Sequence, residues 1–303
     1  MDSFYICSVL LNYYTNNLKY MNTKMIEVTG LSFSYGSRKS KVLDDFSMSL
    51  DKGSVYGLLG KNGTGKSTLL YLMAGLLRPQ SGRVLYQGAD VTKRSPSTLQ
   101  DMFLVPEEFA LPNVSLKQYV KLNAPFYPRF SHELLRACLL DFDMNEAIHL
   151  GELSMGQKKK AFMCFALATN TSLLLMDEPS NGLDIPSKSQ FRKVIASGMT
   201  DEKAVVISTH QVRDIDSLLD HVLIMDGSQL LLNQSVATIC EKLYFAEQGM
   251  NEPTDGALYV QPSVQGNSVI LPNEYGEESK LNLEVLFNAM LAERVRMQQM
   301  FNR

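Results

Sequence analysis

The segment Gly60-Lys61-Asn62-Gly63-Thr64-Gly65-Lys66-Ser67-Thr68 constrains the fold of this chain more than any other feature. It follows a buried-strand pattern at residues 55–59 and leads into a helical pattern at residues 67–76. Its glycines let the backbone turn N–H groups inward, and the helix N-terminus adds a partial positive charge. In a G-x-x-x-x-G-K-S pattern, the lysine reaches the β- and γ-phosphates of a nucleotide and the serine hydroxyl binds Mg²⁺. The segment therefore predicts a phosphate-binding loop at residues 60–68.

Two carboxylates follow the next strongly apolar run, residues 173–176. Asp177 ends this predicted strand, where an acidic residue is placed to hold Mg²⁺ through water. Glu178 comes next and is predicted to polarise the attacking water as a general base. Two solvated acids at a strand end are the alternative interpretation, which the phosphate loop disfavours.

A third motif narrows the class of nucleotide-binding protein to which the chain can belong. Leu153-Ser154-Met155-Gly156-Gln157 resembles the LSGGQ signature of ABC ATPases, and it precedes the Asp177-Glu178 pair by about twenty residues, as in that family. Residues 179–184 resemble the family's D-loop, which places Asp184 in the nucleotide site. His210 resembles the switch histidine, and Tyr35 sits where the family stacks an aromatic ring on adenine. The resemblance covers roughly residues 26–232.

The signature also has a physical rationale. Ser154 opens a predicted helix that runs through Thr169, so its hydroxyl and the first backbone N–H groups form an anion site. By family resemblance, Ser154, Gly156 and Gln157 serve the γ-phosphate of an ATP bound to the opposite subunit. Two subunits, either two copies or a copy and a related ATPase, would then enclose two ATP molecules head to tail.

The chain departs from the family's pattern at two positions. Met155 replaces the usual first glycine of the signature, and methionine fits if the backbone there has an ordinary helical φ. Glu107 stands where the family has the Q-loop glutamine, a Mg²⁺ ligand that senses the transport partner. A carboxylate can still bind Mg²⁺, but its charge near the γ-phosphate is expected to weaken ATP binding when metal is scarce. Glu108 is adjacent, so the alignment can slip by one residue.

The lysine run at residues 158–160 directly follows the signature. A solvated helix face is the expected interpretation, because charge runs usually are one. Support for phosphate binding across a dimer is the alternative.

Composition excludes some partners. The chain carries 29 basic and 32 acidic residues, a balance that argues against nucleic acid as the main partner. It has no run of roughly 18 apolar residues that could span a bilayer. The cysteines lack metal-binding spacing, so a reducing cytosol and buried structural thiols are expected at Cys7, Cys138, Cys164 and Cys240.

The element pattern predicts an α/β fold. Its parts are a P-loop NTPase core with a mostly parallel sheet, an antiparallel β subdomain, a helical insert and a small α+β C-terminal extension. Residues 1–24 are an N-terminal arm or a miscalled start, residues 25–233 the ATPase domain with its insert at about 108–155, and residues 234–303 the extension. Short strands and one terminal helix, residues 281–301, are expected in the extension.

The resemblance implies an ATP- and Mg²⁺-dependent ATPase subunit that powers a membrane transporter through separate permease subunits, at the cytoplasmic face of the cell membrane. The docking surface is expected beside Glu107 and the helical residues 115–140. The C-terminal tail resembles those of drug, lipid or peptide exporter subunits, which favours export. One alternative is a soluble ABC protein of translation or DNA repair, although this chain has neither two cassettes nor a long coiled coil. A non-catalytic binding module is another, against which Glu178 and His210 stand.

Overall fold

The computed structural model describes residues 24–36, 40–250, 252–264 and 266–301. Almost all of the predicted N-terminal arm, with Cys7, lies outside these residues. At the centre is a six-stranded sheet in the order β10-β9-β3-β8-β7-β6, in which only β10 runs antiparallel to its neighbour. Its strands are β3 (Ser54–Gly60), β6 (Met102–Val105), β7 (Leu173–Asp177), β8 (Ala204–Thr209), β9 (His221–Asp226) and β10 (Gln229–Ser235).

Two smaller antiparallel sheets flank this core. The first has the order β2-β1-β4-β5 and contains β1 (Lys24–Phe33), β2 (Leu43–Asp51), β4 (Ser81–Tyr86) and β5 (Ala89–Asp90). The second lies in the C-terminal extension, has the order β11-β13-β12 and contains β11 (Leu243–Gln248), β12 (Tyr259–Ser263) and β13 (Gly266–Pro272). The predicted fold class, a largely parallel core with an antiparallel subdomain, is confirmed.

The α-helices of the described residues are α1 (Lys66–Met73), α2 (Pro96–Leu99), α3 (Leu116–Asn123), α4 (His132–Asp141), α5 (Met155–Ala168), α6 (Ile185–Gly198), α7 (Val236–Lys242), α8 (Leu283–Ala292) and α9 (Arg294–Phe301). The two helices of the insert, α3 and α4, each begin directly after a serine. Ser115 accepts a hydrogen bond from the N–H of Gln118 at 3.2 Å, and Ser131 accepts one from the N–H of Leu134 at 3.1 Å. Each serine thereby satisfies one of the unpaired N–H groups at its helix start.

The prediction of a single terminal helix over residues 281–301 was wrong. Glu293 leaves the helical conformation at φ −113° and ψ 41°, so α8 ends before it and α9 starts after it. The resulting bend lets Met290 in α8 and Met297 in α9 both become fully buried. Packing against the rest of the extension thus overrides a helical sequence pattern that contains neither glycine nor proline.

The central sheet is buried on both faces. In β7, Leu174 and Met176 join the core formed with the helical insert and the C-terminal extension, whereas Leu173 and Leu175 join the core formed with α1 and the antiparallel sheet. Alternate side chains of a strand point to opposite faces, so a continuous apolar run needs a core on each side.

Asp101 ties three parts of the fold together. Its carboxylate accepts hydrogen bonds from the hydroxyl of Tyr86 at 2.6 Å, from the N–H of Ser172 at 3.0 Å and from the guanidinium of Arg129. Tyr86 belongs to the antiparallel sheet, Arg129 to the insert and Ser172 to the edge of the core. The network fixes the insert against the sheet that carries the candidate site.

The remaining cysteines were expected to be buried thiols. Cys138 and Cys164 are buried, and burial raises the pKa of Cys138 to about 11, but Cys240 is only partly buried. Among the residues that the structure describes, no helix has both the length and the apolar character needed to cross a bilayer.

Candidate nucleotide-binding site

The phosphate loop connects the end of β3 to the start of α1. Gly63 and Gly65 adopt φ of 82° and 95°, a region that L-residues with side chains rarely enter. A β-carbon on Gly65 would lie 2.9 Å from Cγ1 of Val42, so a larger residue would also collide. Because Gly65 caps α1 without a side chain, the first N–H groups of this helix remain directed toward an anion at the loop.

Lys66 is the buried cation of the loop. Its side chain is 6% exposed, and its ammonium donates hydrogen bonds to the carbonyls of Gly60 at 2.8 Å and Lys61 at 3.2 Å. Burial lowers the pKa of Lys66, and the attraction of Glu178, Asp177 and Glu107 opposes that shift. The fold therefore brings the loop lysine and the three predicted carboxylates into one electrostatic cluster.

Asp177 ends β7 and Glu178 directly follows it; the two residues are 1% and 5% exposed. The Ser208 hydroxyl of β8 donates a hydrogen bond to Oδ1 of Asp177. The Thr209 hydroxyl donates to Oε2 of Glu178 at 3.0 Å. Parallel pairing of β7 with β8 places these hydroxyls beside the acids, because the carboxyl ends of parallel strands meet at one edge of the sheet.

His210 lies against the same carboxylate. Its Nδ1 is 2.8 Å from Oε1 of Glu178, and its main-chain N–H donates to that oxygen at 3.0 Å. The predicted general base and the predicted switch histidine are thus in direct contact.

The backbone of Glu178 is also unusual, since its φ is 45°. A left-handed conformation at a non-glycine residue costs on the order of 1–3 kcal/mol and persists only where neighbours enforce it. Here the main-chain N–H of Glu178 donates to the carbonyl of Ser208 at 3.0 Å. The strained conformation sets the direction in which the carboxylate points.

Glu107, the carboxylate at the Q-loop position, lies two residues after the end of β6. β6 is the strand that pairs with β7. Its Oε1 accepts a hydrogen bond from the side-chain amide of Asn181 at 3.1 Å. Asn181 belongs to the segment that resembles the D-loop, so this bond joins the two predicted loops within one chain. Glu107 also lies near enough to Lys66 to oppose the lowering of its pKa.

The expectation of a solvated lysine face at residues 158–160 was wrong for Lys159. This side chain is 7% exposed, and its ammonium donates to the carbonyls of Glu178 at 3.1 Å and Asn181 at 2.8 Å. Helical spacing could have indicated it, since Lys159 lies four residues before the fully buried Met163 and shares its face of α5. Lys160 instead lies with Nζ 5.8 Å from the centre of the Phe142 ring.

The signature residues lie at the start of α5. Ser154 caps α5 in a reciprocal arrangement: its hydroxyl accepts from the N–H of Gln157 at 3.3 Å, and its own N–H donates to Gln157 at 3.0 Å. Met155 is the first residue of the helix and has no positive φ, so methionine fits there. A β-carbon on Gly156 would approach the carbonyl of Gly182 to 3.5 Å, which places the signature beside the D-loop segment.

Asp184 and Tyr35 are the two remaining residues that the sequence placed in the nucleotide site. Asp184 caps α6 by accepting from the N–H of Ser187 at 2.9 Å, and hydrogen bonds from Ser187 lower the pKa of this carboxyl. The Tyr35 hydroxyl lies 3.0 Å from Oγ1 of Thr68, and 56% of Tyr35 is exposed. Its ring is therefore held next to the start of α1 and remains open to a ligand.

These residues fit ATP and Mg²⁺. The buried ammonium of Lys66 and the uncapped start of α1 suit a polyphosphate, and Mg²⁺ favours one or two carboxylates together with substrate phosphates. Ser67, Asp177 and Glu107 would hold the ion, which would supply positive charge to the phosphates when bound. Glu178, already oriented by Thr209 and His210, is the group that can accept a proton.

Comparisons with known proteins identify the family of this chain. The family model "ABC transporter" matches residues 43–181. The bacitracin transport ATP-binding protein BcrA of Bacillus licheniformis is 30% identical over 68% of this chain and 68% of its own length. The methionine import ATP-binding protein MetN of Carboxydothermus hydrogenoformans is 32% identical, over 68% of this chain and 65% of that protein.

The Nod factor export ATP-binding protein I of Neorhizobium galegae is 25% identical over 80% of this chain and 72% of its own length. A solved structure, an ATP-binding subunit of an ABC transporter, shares the fold with a TM-score of 0.64 and 23% identity, covering 71% of this chain and 91% of that one.

The chain belongs to the ABC transporter ATP-binding family. It binds ATP, and its enzyme class is ATPase.

Proposed function

We propose that this chain hydrolyses ATP as a sandwich dimer at the cytoplasmic face of the cell membrane and thereby powers an exporter through separate permease subunits. The observation that carries the proposal is the single cluster of Lys66, Asp177, Glu178 and His210 around the phosphate loop. In this cluster Lys66 would hold the phosphates, Asp177 would hold Mg²⁺, and Glu178 would accept the proton of the attacking water.

Dimerisation is supported by the exposed position of the signature. The hydrogen bonds of Ser154 in the described structure stay within its own helix start, to Gln157 and Lys158, so its exposed hydroxyl can serve an ATP from a second chain. Met155 and Ile185 lie next to Ser154 and Asp184 in the chain and are 61% and 84% exposed. Exposed large apolar side chains beside polar groups suit a surface that a partner covers.

The permease surface is proposed on the helical insert. Leu122 and Phe126 are 60% and 70% exposed, and they adjoin a cavity of about 590 Å³ whose lining includes Val120, Pro125 and Phe130. The same lining carries Lys117, Lys121, His132 and Glu146, so this mixed apolar and charged cavity suits a short amphipathic helix of a membrane subunit. Arg129 ties the insert to Asp101 and Ser172, which directly precede β6 and β7. A push on this surface can therefore act on these two strands, which lead to Glu107 and Asp177 at the opposite edge of the sheet.

Export is proposed because the C-terminal tail resembles those of exporter subunits. Similarity to relatives does not decide the direction, since the Nod factor export protein is 25% identical and the methionine import protein is 32% identical. A transport assay decides the direction. The ATPase and its permease are reconstituted into membrane vesicles of known orientation, and movement of substrate is measured with ATP present. ATP-dependent movement of substrate away from the ATPase side supports export. Movement toward the ATPase side would establish import.

The partner is tested by placing a photo-crosslinking residue at Phe126 and recovering the chain from native membranes. We expect a crosslinked protein with several membrane spans. Tyr275, which is 86% exposed in the C-terminal extension, provides the matched control position and should give no such product. Crosslinking of Phe126 to ribosomal proteins or DNA-repair proteins would replace the transporter proposal with the soluble alternative.

A further inference from the structure

A buried lysine links the signature helix to the backbone of the candidate general base. The ammonium of Lys159 donates to two main-chain carbonyls, those of Glu178 at 3.1 Å and of Asn181 at 2.8 Å. With 7% of the residue exposed, water has little access to replace these bonds. Buried carbonyls that lose a charged donor are left unsatisfied, which is costly.

Of the two residues whose carbonyls Lys159 binds, Glu178 is the one with a strained backbone conformation. Its φ of 45° is enforced by its N–H bond to the Ser208 carbonyl on one side. On the other side, its carbonyl accepts from the N–H of Asn181 at 3.2 Å and from Lys159. The two peptide planes that flank the Glu178 Cα are therefore both anchored. Among the residues that the structure describes, Lys159 supplies the only side-chain anchor of the second plane.

Lys159 also has an electrostatic role. Burial lowers the pKa of its ammonium, while Glu107, then Glu178 and Asp177, oppose that shift. Of these carboxylates, Glu107 has the largest effect on the pKa of Lys159. Asn181 connects the two residues, because its side-chain amide donates to Glu107 and its carbonyl accepts from Lys159. Lys159 is thus placed to offset the negative charge that Glu107 adds to the site.

We propose that Lys159 is a positioning residue for ATP hydrolysis, which holds the main chain at Glu178 and Asn181 and acts as the counter-charge of Glu107. The inference rests on the proposed role of Glu178 as general base. Lys159 follows Ser154 by about one and a half helical turns of α5. It therefore joins the signature, which is proposed to contact the ATP of a second chain, to the general base of its own site.

The first test is Lys159→Met, which keeps the length of the side chain and removes its donors and its charge. We expect kcat to fall by roughly tenfold to a hundredfold, while the KM for ATP changes by less than about threefold, because the phosphate contacts of Lys66 are untouched. An unchanged kcat in the folded variant, or a raised KM with unchanged kcat, would overturn the proposal. Circular dichroism and thermal unfolding establish that the variant is folded.

Lys159→Gln keeps amide donors in the same place without the charge, so it serves if the methionine variant does not fold. Its kcat is expected to lie between those of Lys159→Met and the wild type. Lys160→Met is the matched control: this ammonium lies over the Phe142 ring, so kcat should stay within about twofold of wild type. Equal losses in both variants would show that any lysine lost from α5 has the same effect, which contradicts positioning.

A double-mutant cycle tests the counter-charge. Lys159→Gln combined with Glu107→Gln should hydrolyse ATP at least about threefold faster than Lys159→Gln alone, because the second change removes the carboxylate that the lysine offsets. Independent, multiplicative losses would refute the charge relationship. Glu178→Gln is run in parallel: if it hydrolyses ATP normally, the proposed general base is wrong, whereas an inactive Glu178→Gln with an active Lys159→Met contradicts this inference alone.

Discussion

Oε1 of Glu178 accepts two contacts from a single residue, the main-chain N–H of His210 at 3.0 Å and, at 2.8 Å, its ring Nδ1. Oε2 of the same carboxylate accepts the Thr209 hydroxyl. The end of β8 thereby aims a carboxylate that is 5% exposed, and a fixed direction is what a general base needs.

Replacing Glu178 with glutamine should separate binding from chemistry. The amide keeps the shape of the side chain but cannot accept the proton of the attacking water, so kcat should fall by roughly 10²–10⁴ while ATP still binds. Steady-state ATPase assays and size-exclusion chromatography with ATP measure the two effects, and an ATP-locked dimer should accumulate. Glu274→Gln, an exposed acid in the extension, is the control. Near wild-type turnover by Glu178→Gln would remove this residue from the mechanism.

Lys66→Ala should abolish nucleotide binding as well as turnover. We propose that its buried ammonium neutralises phosphate charge in the ground state and in the transition state, so binding and turnover should both fall when it is lost. We expect the Kd for ATP, measured by calorimetry, to rise by roughly a hundredfold or beyond detection. Lys93→Ala removes an exposed lysine elsewhere and should bind ATP normally. Wild-type affinity in Lys66→Ala would contradict the site.

A mixing experiment tests whether Ser154 acts on the ATP of the second chain. In a Lys66→Ala/Ser154→Arg heterodimer, a trans arrangement puts both lesions in one site and leaves the other intact, so activity should return above either homodimer. Arginine blocks the γ-phosphate by its bulk, whereas alanine would remove one hydrogen bond of about 1 kcal/mol. Cysteine crosslinks between positions near Lys66 and Ser154 provide the direct measurement: they should form between chains only with ATP. Crosslinking solely within a chain would exclude the sandwich dimer.

Glu107→Gln should change the metal dependence of ATP binding. Removing the carboxylate removes a repulsion from the phosphates, so the affinity for ATP in EDTA should rise, by about threefold to tenfold. With saturating Mg²⁺ the difference should shrink, because the ion offsets the carboxylate. Titrations of ATP affinity against Mg²⁺ measure this, with Glu108→Gln resolving which of the two acids holds the position. Equal affinity of Glu107→Gln and wild type in EDTA would place Glu107 away from the nucleotide.

The burial of Tyr86 predicts a pH dependence of stability. Burial raises the pKa of Tyr86 from 10.0 to about 12. A raised folded-state pKa contributes stability that is fully present below pH 10 and is lost as the pH rises toward 12, because the unfolded chain ionises first. Wild-type Tm should therefore fall more steeply than that of Tyr86→Phe between pH 10 and 12. Parallel curves for the two proteins would contradict the assigned shift.

The local parts of the site are determined by the sequence. The glycines at positions 63 and 65 supply the positive φ of the phosphate loop, and the uninterrupted apolar run before Asp177 requires a strand buried on both faces. Serines 115, 131 and 154 cap helices through bonds to residues three positions on. Each of these features depends on contacts within a few residues, so pattern and spacing are enough to predict them.

Tertiary structure decides what depends on distant neighbours. Lys159 stands in a run of three lysines that reads as a solvated face, yet its ammonium bonds carbonyls 19 and 22 residues away and becomes buried. Glu178 reaches His210 only because β7 pairs in parallel with β8, which sets both residues at one sheet edge. The break at Glu293 likewise follows from packing, since burial of Met290 and Met297 outweighs local helix propensity. Burial of a charge and the bending of a helix are set by what packs around them, and that information is not carried by neighbouring residues in the chain.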